Sequence, residues 1–227
     1  MNKINIKEII DFRRKSIKAK HTFAQNLNKE NLPSEGGGDY WISSVSALAR
    51  AFKTNNNDVI TEKVIKINKS LDSTIYERTK LMYQRNIDIL NNYKDFDFDA
   101  IKPTQKLTYH KKSKSLSILM IDKVPIKISP NHIFSYNENG KKIMGGIWFI
   151  AKLGGLKDEE LAMVSDVLYR YLQANYSVDY EINPEFCIAV DVNNCKEINF
   201  RQLLTKEMPA ILLPTLDSLK AMLAEHP

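Results

Sequence analysis

Three stretches of the C-terminal half decide the fold: Ile143-Met-Gly-Gly-Ile-Trp-Phe-Ile-Ala151, the segment from Lys157 to Tyr176, and Phe186-Cys-Ile-Ala-Val-Asp-Val192. The first and last are apolar runs too short for most helices and rich in β-branched and aromatic residues, the composition of buried strands. Between them, Leu161, Val164, Leu168, Tyr171 and Leu172 recur at three- and four-residue spacing, which predicts a helix from Lys157 to Tyr176. Asp158, Glu159 and Glu160 load its first turn with the charge that the helix dipole favours. Gly154-Gly155 separates the first strand from this helix, Asn193-Asn194 turns the chain after the second, and Glu197 to Phe200 is its return.

Working outward, Lys106 to His110 and Leu116 to Ile121 are short extended runs joined by a basic turn at 111–114, and they read as a hairpin. Val124 to Tyr136 gives one or two strands around Pro130, and Asn137-Glu-Asn-Gly140 turns the chain into the central strand. A last helix after Pro214, capped by Thr215, carries Leu216, Leu219, Met222 and Leu223. Ahead of Pro103 the periodicity is helical. Ile6, Ile9, Ile10, Arg13 and Ile17 share one face of a first helix running to about Leu27, and a breaker cluster from Asn31 to Gly38 follows. Further helices start near Tyr40, at Asp58, and at Thr74, whose spacing to Glu77 is that of a capping box. The expected architecture is α+β: a helical region over residues 1–102 packed with a βββαβ sheet core and a C-terminal helix over 103–227, together one compact domain.

Composition sets the broad class. In 227 residues, hydrophobic content of 43% and charged content of 26% supply a sizeable core, which excludes disordered, collagenous and coiled-coil classes. No apolar run approaches the length of a membrane span, and the opening MNKINIKEIIDFRRK mixes charge into its apolar residues, so neither a transmembrane segment nor a secretory signal is expected. Two cysteines, Cys187 and Cys195, cannot make a disulfide scaffold, and the expected compartment is a reducing cytoplasm.

The net charge is 33 − 27 = +6, unevenly distributed. Arg13, Arg14, Lys15, Lys18 and Lys20 crowd the first helix, and Lys111, Lys112 and Lys114 form a second basic knot. Clustered cations of this kind are what a phosphate-backbone binder needs, so these eight are the candidate nucleic-acid contacts. The alternative is a solvated face in a chain that carries lysine wherever water allows.

Common catalytic signatures are missing. The sequence contains no GxxxxGK[ST], no GxGxxG after a strand and no GxSxG. His21, His110, His132 and His226 are scattered without metal-ligand spacing, so no metal or other cofactor is expected. Cys187 lies within an apolar strand and reads as core.

The order of strands, long helix and further strand, over about residues 105–200, resembles the core of the PD-(D/E)xK nuclease superfamily, especially its RecB-like branch. That resemblance implies a carboxylate near Val124-Pro-Ile-Lys-Ile-Ser-Pro-Asn-His132 and an acid-x-Lys at the end of the Ile143–Lys152 strand, which together gather Mg²⁺ for phosphodiester hydrolysis. The chain departs from the pattern at both places. Asn131 stands where the aspartate is wanted, and Ile150 stands two residues before Lys152. Hard cations need oxygen ligands, so the resemblance implies a nuclease-like scaffold that has lost its metal site. The expected function is a non-catalytic accessory protein that binds nucleic acid or a protein partner, and the resemblance suggests bacterial DNA processing or antiphage defence. Two alternatives stand beside it. One is an active Mg²⁺-dependent nuclease with displaced ligands, drawn from Asp122, Glu138, Asp191 and Lys152. The other is a homo-oligomeric structural protein that self-associates through Ile211-Leu-Leu-Pro214.

Overall fold

The computed structural model describes residues 2–28, 40–111 and 117–225. The expected α+β class holds. A short strand β1 (Ile4–Asn5) leads into helices α1 (Ile6–Arg14), α2 (Ile17–Asn28), α3 (Ile42–Thr54), α4 (Asp58–Ser73) and α5 (Glu77–Asn92). Strands β2 (Thr108–His110), β3 (Ile118–Ile121), β4 (Val124–Lys127), β5 (His132–Glu138) and β6 (Lys141–Ile150) follow. Then come α6 (Asp158–Tyr176), β7 (Glu181–Asp191), β8 (Lys196–Asn199), the single turn α7 (Arg201–Leu204) and α8 (Leu212–Ala224).

The strands form two sheets. The larger has the order β2-β5-β6-β7-β8, with β6 and β7 parallel across α6 and every other pair antiparallel. The smaller has the order β1-β4-β3, with β1 parallel to β4. Strand β6 is the spine of the larger sheet, and both of its faces are buried. Met144, Trp148 and Ile150 join a core with α1, α6 and α8, whereas Ile143, Ile147 and Phe149 join a second core with α3, α4 and α5. Period-2 alternation thus supplies two hydrophobic layers from one strand.

The glycine pair at the centre of β6 follows from this crowding. A Cβ on Gly145 would sit 2.7 Å from the Phe186 carbonyl oxygen and 2.9 Å from the Phe134 ring. On the other face, a Cβ on Gly146 would meet Leu168 of α6 at 3.3 Å. Opposite Gly145, β7 bulges: the register passes from Met144↔Ile182 to Gly146↔Cys187. The unpaired stretch contains Pro184, which has no N–H to give a ladder and is tolerated here for that reason.

Several boundaries differ from the sequence expectation. The predicted first helix breaks at Lys15, which is extended (φ −75°, ψ 150°), and Ser16 then faces the start of α2. Ile17, placed on the apolar face by periodicity, is 71% exposed. Thr74 does not begin a capping box: α5 starts at Glu77, and the Thr74 hydroxyl accepts from the Tyr76 N–H at 3.4 Å. The runs around 106–110 and 116–121 do not form a hairpin, because β2 pairs with β5 and β3 pairs with β4. The actual hairpin turns at Asp122-Lys123, both with positive φ (48° and 67°), the conformation of a two-residue mirror-image turn. Val124 to Tyr136 is two strands, and they lie in different sheets. Helix α8 begins at Leu212 with Pro214 in its first turn, where a missing N–H costs nothing, and the Thr215 hydroxyl donates back to Ile211 O at 2.7 Å rather than capping. Among the described residues, no helix is long and apolar enough to cross a membrane.

Gly145→Ala is expected to lower the urea unfolding midpoint by the equivalent of about 1–3 kcal/mol, because backbone and a packed ring must both give way. Gly146→Ala should cost less, since its nearest contact, the His132 carbonyl oxygen, stands at 3.1 Å rather than 2.7 Å and the next are the flexible ends of Leu168 and Leu172. Equal midpoints for Gly145→Ala and the unmodified chain would contradict this account of the bulge.

Candidate nucleic-acid interface

The basic residues nominated by the sequence divide into committed and open groups. At the end of α1, the Arg14 Nε donates to Glu160 Oε1 at 2.7 Å and its Nη2 reaches both Glu160 and the Gly155 carbonyl. Arg13 pairs with Glu159 at 3.5 Å. The Lys15 and Lys20 ammonium groups lie over the Phe23 and Phe12 rings, at 5.8 and 5.1 Å from their centroids. Lys18 and Lys111 are exposed. Lys112 and Lys114 lie outside the described residues.

The Arg14–Glu160 pair fastens α1 to the first turn of α6. Glu160 is 1% exposed, and it also accepts from the Lys157 N–H at 2.9 Å, closing the helix start. Burial alone would raise the pKa of this carboxyl, but the hydrogen bonds from Arg14 and Lys157 outweigh it and hold the pKa below its ordinary value. Lys152 at the end of β6 reaches Asp11 of α1, so a second ion pair reinforces the same junction.

The acids weighed as displaced metal ligands have structural partners too. Asp191 is buried at the end of β7, where it accepts from the N–H groups of Leu156 (2.7 Å) and Asn193 (3.0 Å) and from the Asn194 amide (2.7 Å). Asn193 in turn donates to the Lys152 carbonyl, so Asp191 and the Lys152 backbone share one corner of the sheet. Asp122 lies apart in the β3–β4 turn and pairs with Lys220 of α8. Glu138 accepts from Gln105 at 2.7 Å. Among the described residues, no group of three or more His, Cys, Asp or Glu side chains is placed to hold a metal ion. The segment proposed for self-association is partly consumed by α8: Leu212 is buried and Leu213 is 40% exposed.

A cleft of about 410 Å³ opens where the chain crosses from the small sheet to the large one. Ser129-Pro130 follows the end of β4, and Pro130 cannot extend a ladder. The Asn131 N–H donates to Ile147 O at 2.9 Å. Its side-chain Oδ1 then accepts from the Phe149 N–H at 2.7 Å, in place of the next strand residue. Strand β6 therefore runs on past its partner, and Trp148, Phe149 and Ile150 floor the cleft. Ile6 of α1 and Ile42 and Val45 of α3 supply apolar walls, while Lys7, Lys127, Ser129 and Asn131 supply polar ones.

Asn131 and Ile150, the two positions where the nuclease pattern wants acids, thus meet in this cleft, and among the described residues no carboxylate, histidine or cysteine lines it. The donor set does not fit Mg²⁺. Ser46 of α3 connects the cleft to a neighbouring groove of about 240 Å³ between α3 and α4, edged by Arg50, Lys63 and Lys66 with Glu62 as its one acid. None of Lys7, Lys127, Arg50, Lys63 and Lys66 makes an ion pair among the described residues. Sequence reading passed over these five because they are dispersed along the chain. The available signal was local: Lys63 and Lys66 are spaced i, i+3, and Ser46 and Arg50 i, i+4, on the polar faces of their helices.

Compared with known proteins, the chain matches no family model, no curated protein and no solved structure.

Glu160→Gln should lower stability at neutral pH by about 1–3 kcal/mol, since the partly exposed Arg14 keeps its place but loses its charged acceptor. The folded pKa of Glu160 is depressed, so its contribution is present above the unfolded carboxylate value near 4.3 and is lost as pH falls through the lower folded value. Chemical denaturation across pH should therefore show the gap between variant and unmodified protein closing below about pH 4. A gap constant with pH would remove the carboxylate from this role.

Proposed function

We propose that the protein is a non-catalytic nucleic-acid-binding protein that grips the phosphate backbone along the continuous surface formed by the cleft and the α3–α4 groove. One observation carries this reading: five cations that make no ion pair among the described residues converge on two adjoining depressions whose described linings hold a single acid, Glu62. Unpaired lysine and arginine ammonium and guanidinium groups exchange condensed counterions for phosphate contacts without first breaking an internal salt bridge. Arg13 and Arg14 must break such bridges to do the same, which makes the end of α1 the poorer surface. Lys7 and Arg14 are about 10 Å apart along the axis of α1, so Lys7 at the cleft acts separately from Arg14 at α6.

A scaffolding or accessory role follows from the chemistry of the lining. Lysine, serine and asparagine bind and orient a phosphodiester, and the one carboxylate of the lining, Glu62, lies in the groove and has no second acid beside it to share a metal ion. A place in bacterial DNA processing or antiphage defence rests on the nuclease-like order of elements and is an analogy of scaffold.

The test is fluorescence anisotropy with labelled single-stranded and duplex oligonucleotides at about 50 and 200 mM salt, a range over which several phosphate contacts cost orders of magnitude in affinity. The double variant Arg50→Glu, Lys63→Glu is expected to bind at least tenfold more weakly at the lower salt. Its salt slope should be shallower by about two, one for each phosphate contact removed. Arg13→Glu with Lys18→Glu should change affinity much less. If the groove variant binds like the unmodified protein, the groove is a solvated face and the proposal is wrong.

A further inference from the structure

We infer that the cleft beneath the cationic groove receives an unpaired base, so that the protein selects single-stranded nucleic acid over duplex. The inference rests on the phosphate-binding role proposed for the groove and adds to it the class of ligand. Cations alone do not distinguish the two forms, because a duplex and a single strand both present phosphates. The concave space does. Along its floor runs the unpaired edge of β6 at Trp148, Phe149 and Ile150, whose side chains are mostly buried, and Ile42 of the facing wall is 61% exposed and supplies the apolar contact. A paired, stacked base cannot leave the duplex interior to reach such a surface without the cost of unstacking and unpairing, whereas a single strand presents its bases already splayed.

The polar groups are arranged for the same ligand. Asn131 spends its Oδ1 on the Phe149 N–H, which leaves its Nδ2 amide as a donor on the cleft wall. Ser129 is exposed beside it and offers a hydroxyl that both donates and accepts. Every base carries ring or exocyclic acceptors on its edge, so this pair holds a base without reading a sequence. Lys7 and Lys127, on the same cleft, meet the flanking phosphates, and Ser46 marks where the strand continues toward Arg50, Lys63 and Lys66. The charged groups that line the cleft among the described residues, Lys7 and Lys127, are both cationic, which disfavours a basic peptide as the occupant.

The chain has two tryptophans, and Trp41 lines a separate depression with Arg85, so Trp41→Phe leaves Trp148 as the sole indole reporter in the cleft. That variant is titrated with three probes at about 50 mM salt: an oligothymidine of about ten nucleotides, an abasic sugar-phosphate strand of the same length, and a blunt duplex. The oligothymidine is expected to change Trp148 emission saturably and to bind at least tenfold more tightly than either other probe. Val45→Phe, added to Trp41→Phe, narrows the cleft from α3 and should abolish that preference while leaving salt-dependent binding of the abasic strand intact. Equal affinity for all three probes with unchanged emission overturns the base pocket, though a steep salt slope would then keep the groove as a phosphate surface. Absence of binding by every probe overturns both.

Discussion

Strand β6 is buried on both faces and paired on both edges over most of its length, and the remaining layers are hung on that constraint. A strand in this position cannot afford bulk at its middle, because α6 presses on one face and the bulged β7 with Phe134 presses on the other. Gly145 and Gly146 meet this demand by removing side chains where the two layers approach most closely. On either side of the glycines, alternation resumes and sends Trp148 and Ile150 to one core and Ile147 and Phe149 to the other. The helices that precede the sheet in sequence are therefore divided between its faces. Helix α1 packs with α6 and α8, and α3, α4 and α5 pack opposite.

The same strand explains why a cleft exists. Its pairing with β5 stops at His132↔Ile147, three residues before β6 itself ends. A strand edge left open at that point would expose unpaired backbone groups, a liability in any sheet. Asn131 covers the first of them with its side chain, and helices α1 and α3 wall the remainder. An aspartate at 131 could accept the Phe149 N–H equally well. Asparagine makes the same strand-ending contact without placing a charge in the cleft.

Much of the fold was legible in the sequence, and the parts that were not share a cause. The central strands, α6 and the β8 return were readable because burial on both faces or strong amphipathicity stamps a pattern on consecutive residues. The Asn139-Gly140 turn was readable because its residues favour positive φ. Asp122-Lys123 adopts the same sign of φ without glycine, and the hairpin it makes was missed. The break at Lys15–Ser16 was hidden because Ile17 continues the apolar spacing while standing in solvent. Pairing between β2 and β5, and the formation of a second sheet by β1, β3 and β4, depend on contacts remote in sequence that no local pattern encodes.

The candidate site divides in the same way. Runs of basic residues near the start of the chain were the visible signal, yet a run is also what a helix uses to meet an acidic first turn, and Arg13 and Arg14 do so against Glu159 and Glu160. Charges that remain unpaired carry more of the external field, since a neutralised pair presents only a dipole to solvent. The cleft and the adjoining α3–α4 groove together draw their five cations from four separate elements, each residue unremarkable in its own neighbourhood. Folding gathers them because each stands on the solvent side of an element whose other side is fixed by the core. The apolar requirement that buries Ile60, Val64 and Ile67 of α4 turns Lys63 and Lys66 outward beside Arg50. The site is thus a consequence of packing read from outside, and a count of charge along the chain does not contain it.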